Sequence, residues 1–136
     1  MTEAKTNTNV HSFDISVEGS KTGEKWVGKF TSKVLLSQAD ELNVDRRRRE
    51  LLGANAIDAS PGAQQRATIF AELWVRIIEA PSWWKDTAGG LELLDDEPVS
   101  AVFNHTQAAE TERLKTIRER AEKAKEALRA IPSPEG

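Results

Sequence analysis

Residues 60–84 read SPGAQQRATIFAELWVRIIEAPSWW and contain the strongest helix signal of the chain. Ser60 can cap a helix, and Pro61 fits its first position, where the missing amide hydrogen is not needed. Pro81 ends the helix, because proline disfavours the α conformation in the residue before it and donates no backbone hydrogen bond. The pattern predicts a helix over about 61–80 at the centre of the core. Its broad apolar stripe consists of Ala63, Phe70, Leu73, Trp74, Ile77 and Ile78.

Two adjacent indoles, Trp83 and Trp84, follow this helix directly. In one interpretation they cap the core where the helix ends. In the other, at least one of them is a partly exposed anchor for a protein partner, since Trp is enriched at interface hot spots. Both residues are therefore candidates for partner binding, whereas Trp74 is expected to be buried because it lies within the continuous helical stripe.

Upstream of this helix, the apolar residues follow a period of two. Phe13, Ile15 and Val17 alternate with polar residues, and after a Gly-containing loop Trp26 and Phe30 fall on one face of a second stretch. Such alternation predicts a β-hairpin over about 12–33. A lone hairpin is marginally stable in water, so its apolar face should be covered by helices or by another chain.

A further helix is predicted over about 38–52, between a capping Ser37 and a terminating Gly53. It contains the run Arg46–Arg49, whose side chains spread around the helix because successive residues turn by about 100°. Two interpretations stay open, namely a solvated face paired with nearby carboxylates, or a site for an acidic or RNA partner. The nearby carboxylates are those of Asp40, Asp45 and Glu50.

The last helix is predicted to start at the acidic segment before Pro98 and to run to about Ala130. Its first half carries core-type residues such as Val102. Its second half carries apolar residues at heptad spacing among many charges, and the large ones are Leu114, Ile117, Leu128 and Ile131, with Ala121 and Ala124 between them. A single exposed helix held by ion pairs, a helix that docks on a partner, and self-association all fit this pattern. The four large residues are candidates for partner binding.

The chain is expected to be an α+β protein, with an N-terminal β-hairpin packed against a small helical domain and a long C-terminal helix. We expect a disordered lead-in over 1–9, one domain over 10–110 with its last core helix at about 97–110, and a projecting charged helix with a frayed end over 111–136. A chain of 136 residues is long enough for one modest core. Its first residues lack the apolar stretch of a signal peptide, and no run is long and apolar enough to span a bilayer, so no membrane partner is expected.

Catalytic, cofactor and metal sites are not expected. The chain has no cysteine, and its two histidines, His11 and His105, lie in no recognisable catalytic motif. Gly89-Gly90 lacks the lysine and the spacing of a phosphate-binding loop. A net charge of −3 makes nucleic acid an unlikely partner for the whole chain.

The order of features resembles the tail assembly chaperones of long-tailed bacteriophages. The similar portions are the helix that ends in Ala80-Pro81, the Trp83-Trp84 pair, and the segment Gly90-Leu91-Glu92-Leu93-Leu94-Asp95, followed by a long charged helix. The resemblance covers about residues 13–103. It implies a small non-catalytic protein of the host cytoplasm that coats the helical tape-measure protein and recruits tail-tube subunits.

The alternative is a structural virion component, such as a minor capsid, decoration or tail-completion protein. Its hairpin and terminal helix would then lock into symmetric virion neighbours, and the protein would stay in the mature particle. A nucleic-acid-binding regulator that uses the arginine run is a third hypothesis, which the acidic net charge disfavours.

Overall fold

The computed structural model describes residues 9–130, and within them three strands and four α-helices pack as an α+β fold, as the sequence predicts. Residues 1–8 and 131–136 lie outside the described part, and with them the frayed end, Ile131 and all of the predicted lead-in except Asn9. Asn9 is ordered, which corrects the predicted lead-in at that residue: its side chain accepts a hydrogen bond from the Leu35 amide at 2.8 Å and donates one to the Leu35 carbonyl at 2.9 Å. In chain order the elements are β1 Val10–Glu18, β2 Lys25–Lys33, α1 Gln38–Leu52, α2 Pro61–Arg76, β3 Ile77–Glu79, α3 Ser82–Lys85 and α4 Glu97–Ala130.

Strands β1 and β2 form the predicted antiparallel hairpin. Phe13 lies opposite Phe30 and Ile15 lies opposite Gly28, which places the apolar residues on one face of the sheet. Gly28 is needed at its position, because a Cβ atom there would lie 2.6 Å from the ring of Pro81. The chain that follows α2 therefore packs directly on the hairpin.

The predicted helix over 61–80 ends four residues early, which corrects the expected boundary. Ile77 is already in extended conformation (φ −75°, ψ 117°), and Ile77–Glu79 forms strand β3 along the edge of β2. Thr31 pairs with Glu79 in this ladder, so the strand order is β1-β2-β3. Ile77 and Ile78 are β-branched and therefore favour the strand. Because Pro81 prevents the helix from continuing, the backbone groups of this segment form their hydrogen bonds with β2 instead.

The core lies between one face of the sheet and helices α2, α3 and α4. Its buried cluster consists of Phe13, Ile15, Phe30, Leu73, Trp84 and Val102. Trp74 is not part of it, since 52% of its surface is exposed, and the prediction that it is a core residue is wrong. Leu73 takes the core position instead. The broad apolar stripe of α2 includes positions on both sides of the buried face, and periodicity alone does not distinguish them.

Helix α1 lies along α2 without burying any residue of its own. Its N-terminus has a complete capping box, in which Ser37 and Asp40 each accept a hydrogen bond from the other's backbone amide.

Helix α4 is continuous from Glu97 to Ala130 and changes character along its length. Pro98, Val102 and Thr106 are buried against the domain, whereas every residue from 118 to 130 is exposed. None of the described helices is both long enough and apolar enough to cross a membrane.

Candidate partner-binding surfaces

Trp84 is buried, with 3% of its surface exposed, and it packs edge-on against Phe30 at a centroid distance of 5.2 Å. The loop after α3 covers the same indole. A Cβ atom on Gly90 would lie 2.8 Å from the Trp84 ring, and Gly90 has a φ of +84°. Trp84 is therefore a core residue whose 3% exposure leaves almost no surface for a partner, which corrects its assignment as a binding residue.

Trp83 is half-buried and partly exposed, as expected for at least one indole of the pair. Its Nε1 donates a hydrogen bond of 3.0 Å to the backbone carbonyl of Val27. Its ring also packs against Trp26, with centroids 4.9 Å apart. These contacts attach α3 to the hairpin. The role of Trp83 in partner binding stays a prediction.

The exposed face of Trp74 is part of an apolar groove that the sequence did not reveal. The groove has a volume of about 280 Å³, and we call it the Trp74 groove. Ile78, which is also half-exposed, lies beside the indole. The guanidinium of Arg47 stacks over the Trp74 ring at 4.1 Å, and Lys85 is a second cation on the rim. The remaining lining residues are Leu73, Ile77, Ala80, Trp84, Ala88 and Gly89.

The Arg46–Arg49 run does not form one basic patch. Arg48 and Arg49 both pair with Asp45, at 2.8 and 3.0 Å, as the solvated-face interpretation predicts. Asp40, however, pairs with Lys33 rather than with an arginine. Arg47 is held by its indole contact, so the run divides its side chains among different neighbours.

The second candidate surface is the apolar seam on the distal half of α4. It consists of Leu114, Ile117, Ala121, Ala124 and Leu128, and we call it the α4 seam. Leu114 and Ile117 are each 44% exposed, and Leu128 is 70% exposed. The structure therefore leaves the three described candidates of this helix accessible to a partner, while the fourth, Ile131, lies outside the described residues.

The seam begins at a groove between α4 and the body of the domain. This groove has a volume of about 510 Å³, and its apolar wall is made by Leu35, Leu36, Val44 and Leu114. The other lining residues are charged, namely Glu41, Glu72, Arg76 and Glu110, so a helix lying on the α4 seam would meet a mixed apolar and charged surface where the seam joins the domain.

Asp95 connects the hairpin loop to the segment before α4. Its carboxylate is buried and accepts hydrogen bonds from the hydroxyl and the amide of Thr22, from the Lys21 amide, and from Nε1 of Trp26 at 2.9 Å. The hydrogen bond from the Thr22 hydroxyl is the largest of several that lower the pKa of Asp95 to about 2. Its donors come from the hairpin and fix the loop, so this acidic residue has a structural role.

Arg76 plays a similar role at the other end of the domain. Its guanidinium is buried and donates to the Val34 carbonyl at 2.7 Å and to the Glu110 carboxylate at 2.6 Å. It thereby joins the end of α2 to the chain after β2 and to α4. Apolar periodicity places Arg76 on a helix but cannot show that its charge is buried.

The two histidines are packing residues of the hairpin and of α4. His105 stacks on Phe13 at a centroid distance of 4.6 Å, and His11 stacks on the same ring at 5.6 Å. Between residues 9 and 130 no three histidine, aspartate or glutamate side chains come together in a way that could hold a metal ion.

Both candidate surfaces expose apolar side chains next to cations, an arrangement suited to binding an apolar and acidic protein segment. Comparison of the chain with protein families, with curated proteins and with solved structures finds no match.

Proposed function

We propose that the chain is a non-catalytic assembly chaperone for the tail of a long-tailed bacteriophage. It acts in the host cytoplasm, where it binds the tape-measure and tail-tube proteins before the tail is complete. The observation that carries the proposal is the distal half of α4, which exposes an apolar seam along a helix with no buried residue after Thr106. An open seam of this kind can cover the apolar face of a partner helix.

The resemblance to tail assembly chaperones supports the same proposal. Its most specific portions, Trp83-Trp84 and the segment that starts at Gly90, are in contact, because Gly90 packs on the Trp84 ring. The resemblance therefore falls on one packed unit of the domain rather than on scattered surface residues.

The carboxyl groups with shifted pKa values belong to the packing of the domain. The described carboxyl groups with displaced pKa values are all shifted downward, and they belong to Asp40, Asp45, Asp95 and Glu97. Hydrogen bonds from neighbouring side chains are the main cause of each shift. Each of these carboxylates is therefore engaged in hydrogen bonds within the fold.

The test is co-expression of this chain with the proteins of its neighbouring genes, followed by affinity capture and mass spectrometry, where the proposal requires a tape-measure and a tail-tube protein among those captured. We expect both proteins to be captured by the wild type and lost with Ile117→Asp/Leu128→Asp, which makes the α4 seam polar. Glu119→Ala, on the opposite side of the helix, is the control and should behave as the wild type. Capture of neither protein by the wild type would refute the proposal.

Purified mature particles distinguish the chaperone from a structural virion component. A chaperone is absent from their protein gel, whereas a minor capsid, decoration or tail-completion protein is present in stoichiometric amount. Stoichiometric presence would overturn the chaperone proposal in favour of that alternative.

A further inference from the structure

The charges beside the α4 seam are all of one sign. At about 100° per residue, Arg113 and Arg120 fall along one edge of the seam, and Arg118 and Lys125 fall along the other. These are the positions that flank the apolar seam in a coiled coil and decide which partner it accepts. The carboxylates of this half of the helix lie mainly on the far side, at Glu112, Glu119, Glu122 and Glu126.

The flanking cations are available to a partner. Among the described residues only Lys125 of the four pairs with a carboxylate, that of Glu122, at 4.0 Å and with both side chains about two-thirds exposed. Such an exposed pair is weak and exchanges easily for a pair with another chain. Arg118 and Arg120 are exposed, and Arg113 is half-buried.

This charge pattern opposes self-association through the seam. In a parallel pair of copies, Arg113 would face Arg118 of the second copy, and Arg120 would face Lys125. In an antiparallel pair, each edge would again meet a basic edge. Like charges at these positions destabilise a coiled coil, and a seam with alanine at two of five positions has little apolar contact to offset them.

We infer that the α4 seam binds an α-helix of another protein whose apolar stripe is flanked by glutamate or aspartate and carries bulky residues opposite Ala121 and Ala124. The inference deepens the proposed function, on which it rests for the helical nature of the partner. Charge complementarity selects this occupant: acidic flanks convert every repulsive contact of the homodimer into an attractive one. An anionic membrane fits less well, because the same stretch of helix carries four carboxylates.

The test uses the full chain and two synthetic helical peptides of three heptads each. Both peptides carry leucine and isoleucine on the apolar stripe, and one has glutamate at the flanking positions where the other has lysine. By fluorescence anisotropy at low salt, we expect the glutamate peptide to bind at least about tenfold more tightly, with an affinity that falls as salt is added.

Two variants with the same change in net charge locate the effect. Arg118→Glu/Lys125→Glu reverses one edge of the seam and should weaken binding of the glutamate peptide about tenfold. Lys115→Glu/Lys123→Glu reverses two cations on the far side and should change it by less than about threefold, because these charges lie away from the contact. Equal weakening by both variants would show attraction to net charge alone and would overturn the inference.

Three other results would also overturn it: equal binding of the two peptides, a dimer in sedimentation velocity that the Leu128→Asp change abolishes, or binding to phosphatidylserine vesicles in place of the glutamate peptide. The peptides contain no phage sequence, so the two proposals fail separately. Binding of the glutamate peptide without capture of tail proteins refutes the proposed function alone. Capture of tail proteins without a peptide preference refutes the acidic helix alone.

Discussion

A chain that ends at Ile117 loses residues 118–130 of α4 and keeps every buried residue of the described domain, the last of which is Thr106. Each i,i+4 ion pair on an isolated helix contributes about 0.2–0.5 kcal/mol. We therefore expect the free energy of unfolding to fall by less than about 1 kcal/mol. For a domain of this size the corresponding decrease in Tm is at most about 4–8 °C.

A cut before Pro98 is the matched comparison. It removes Val102, which is fully buried and contributes about 1.5–3 kcal/mol on its own, together with the buried Pro98 and Thr106. Small domains are stable by only about 5–15 kcal/mol, so this shorter chain should not fold cooperatively.

Urea titration followed by tryptophan fluorescence measures both truncations, because all four indoles precede Pro98. The chain that ends at Ile117 should also lose binding to the glutamate peptide, since Arg118, Arg120 and Lys125 are gone. A decrease in unfolding free energy of more than about 2 kcal/mol would refute this reasoning, because it would require the distal helix to pack on the domain.

Three further predictions concern the packing of the domain. Because its pKa is lowered in the folded state, the Asp95 carboxylate stabilises the fold above its ordinary pKa, and the wild type should lose stability as the pH falls from about 4 to 2. In urea titrations, Asp95→Asn should show a smaller change of unfolding free energy over this pH range, and an equal change in both proteins would contradict the assignment. Arg76→Met leaves buried carbonyls without a donor and should lower the unfolding free energy by about 2–4 kcal/mol. Glu110→Gln keeps an acceptor oxygen and removes only a partly exposed negative charge, so it should cost about 1 kcal/mol; equal losses in urea titrations would contradict this ranking. Gly90→Ala and Gly23→Ala both force alanine to a positive φ, but only at Gly90 does the new Cβ atom meet an indole. In thermal melts Gly90→Ala should therefore be the less stable variant by at least about 1 kcal/mol, and equal melting temperatures would contradict the contact.

The elements with strong local signals could be predicted from the sequence. The hairpin follows from strict alternation, and α1 begins and ends at the predicted residues because Ser37 caps it and Gly53, with a φ of +72°, ends it. Both signals act between neighbours in the chain.

Strand β3 and the exposure of Trp74 could not be predicted in this way, because both depend on tertiary contacts. Ile77 and Ile78 continue a helical stripe, and only the free edge of β2 makes the extended conformation preferable. Trp74 fits the stripe equally well, but the core accepts Leu73, and Arg47 from another helix covers part of the indole. The burial of Asp95 likewise depends on donors in a loop more than seventy residues earlier.

The strength of the α4 seam bears on the choice between a chaperone and a virion component. Leu114, Ile117 and Leu128 are already partly covered or isolated. Burying each of them against a partner helix would therefore stabilise the complex by about 1 kcal/mol. The partner's own apolar residues add a similar amount, and four charge pairs add tenths of a kcal/mol each. The loss of translational and rotational freedom on association opposes this small gain, so the complex should form but dissociate readily. A protein locked permanently into a particle needs a larger and more apolar contact. A weak seam with charged edges is better suited to a protein that covers a helix during assembly and is then displaced from it.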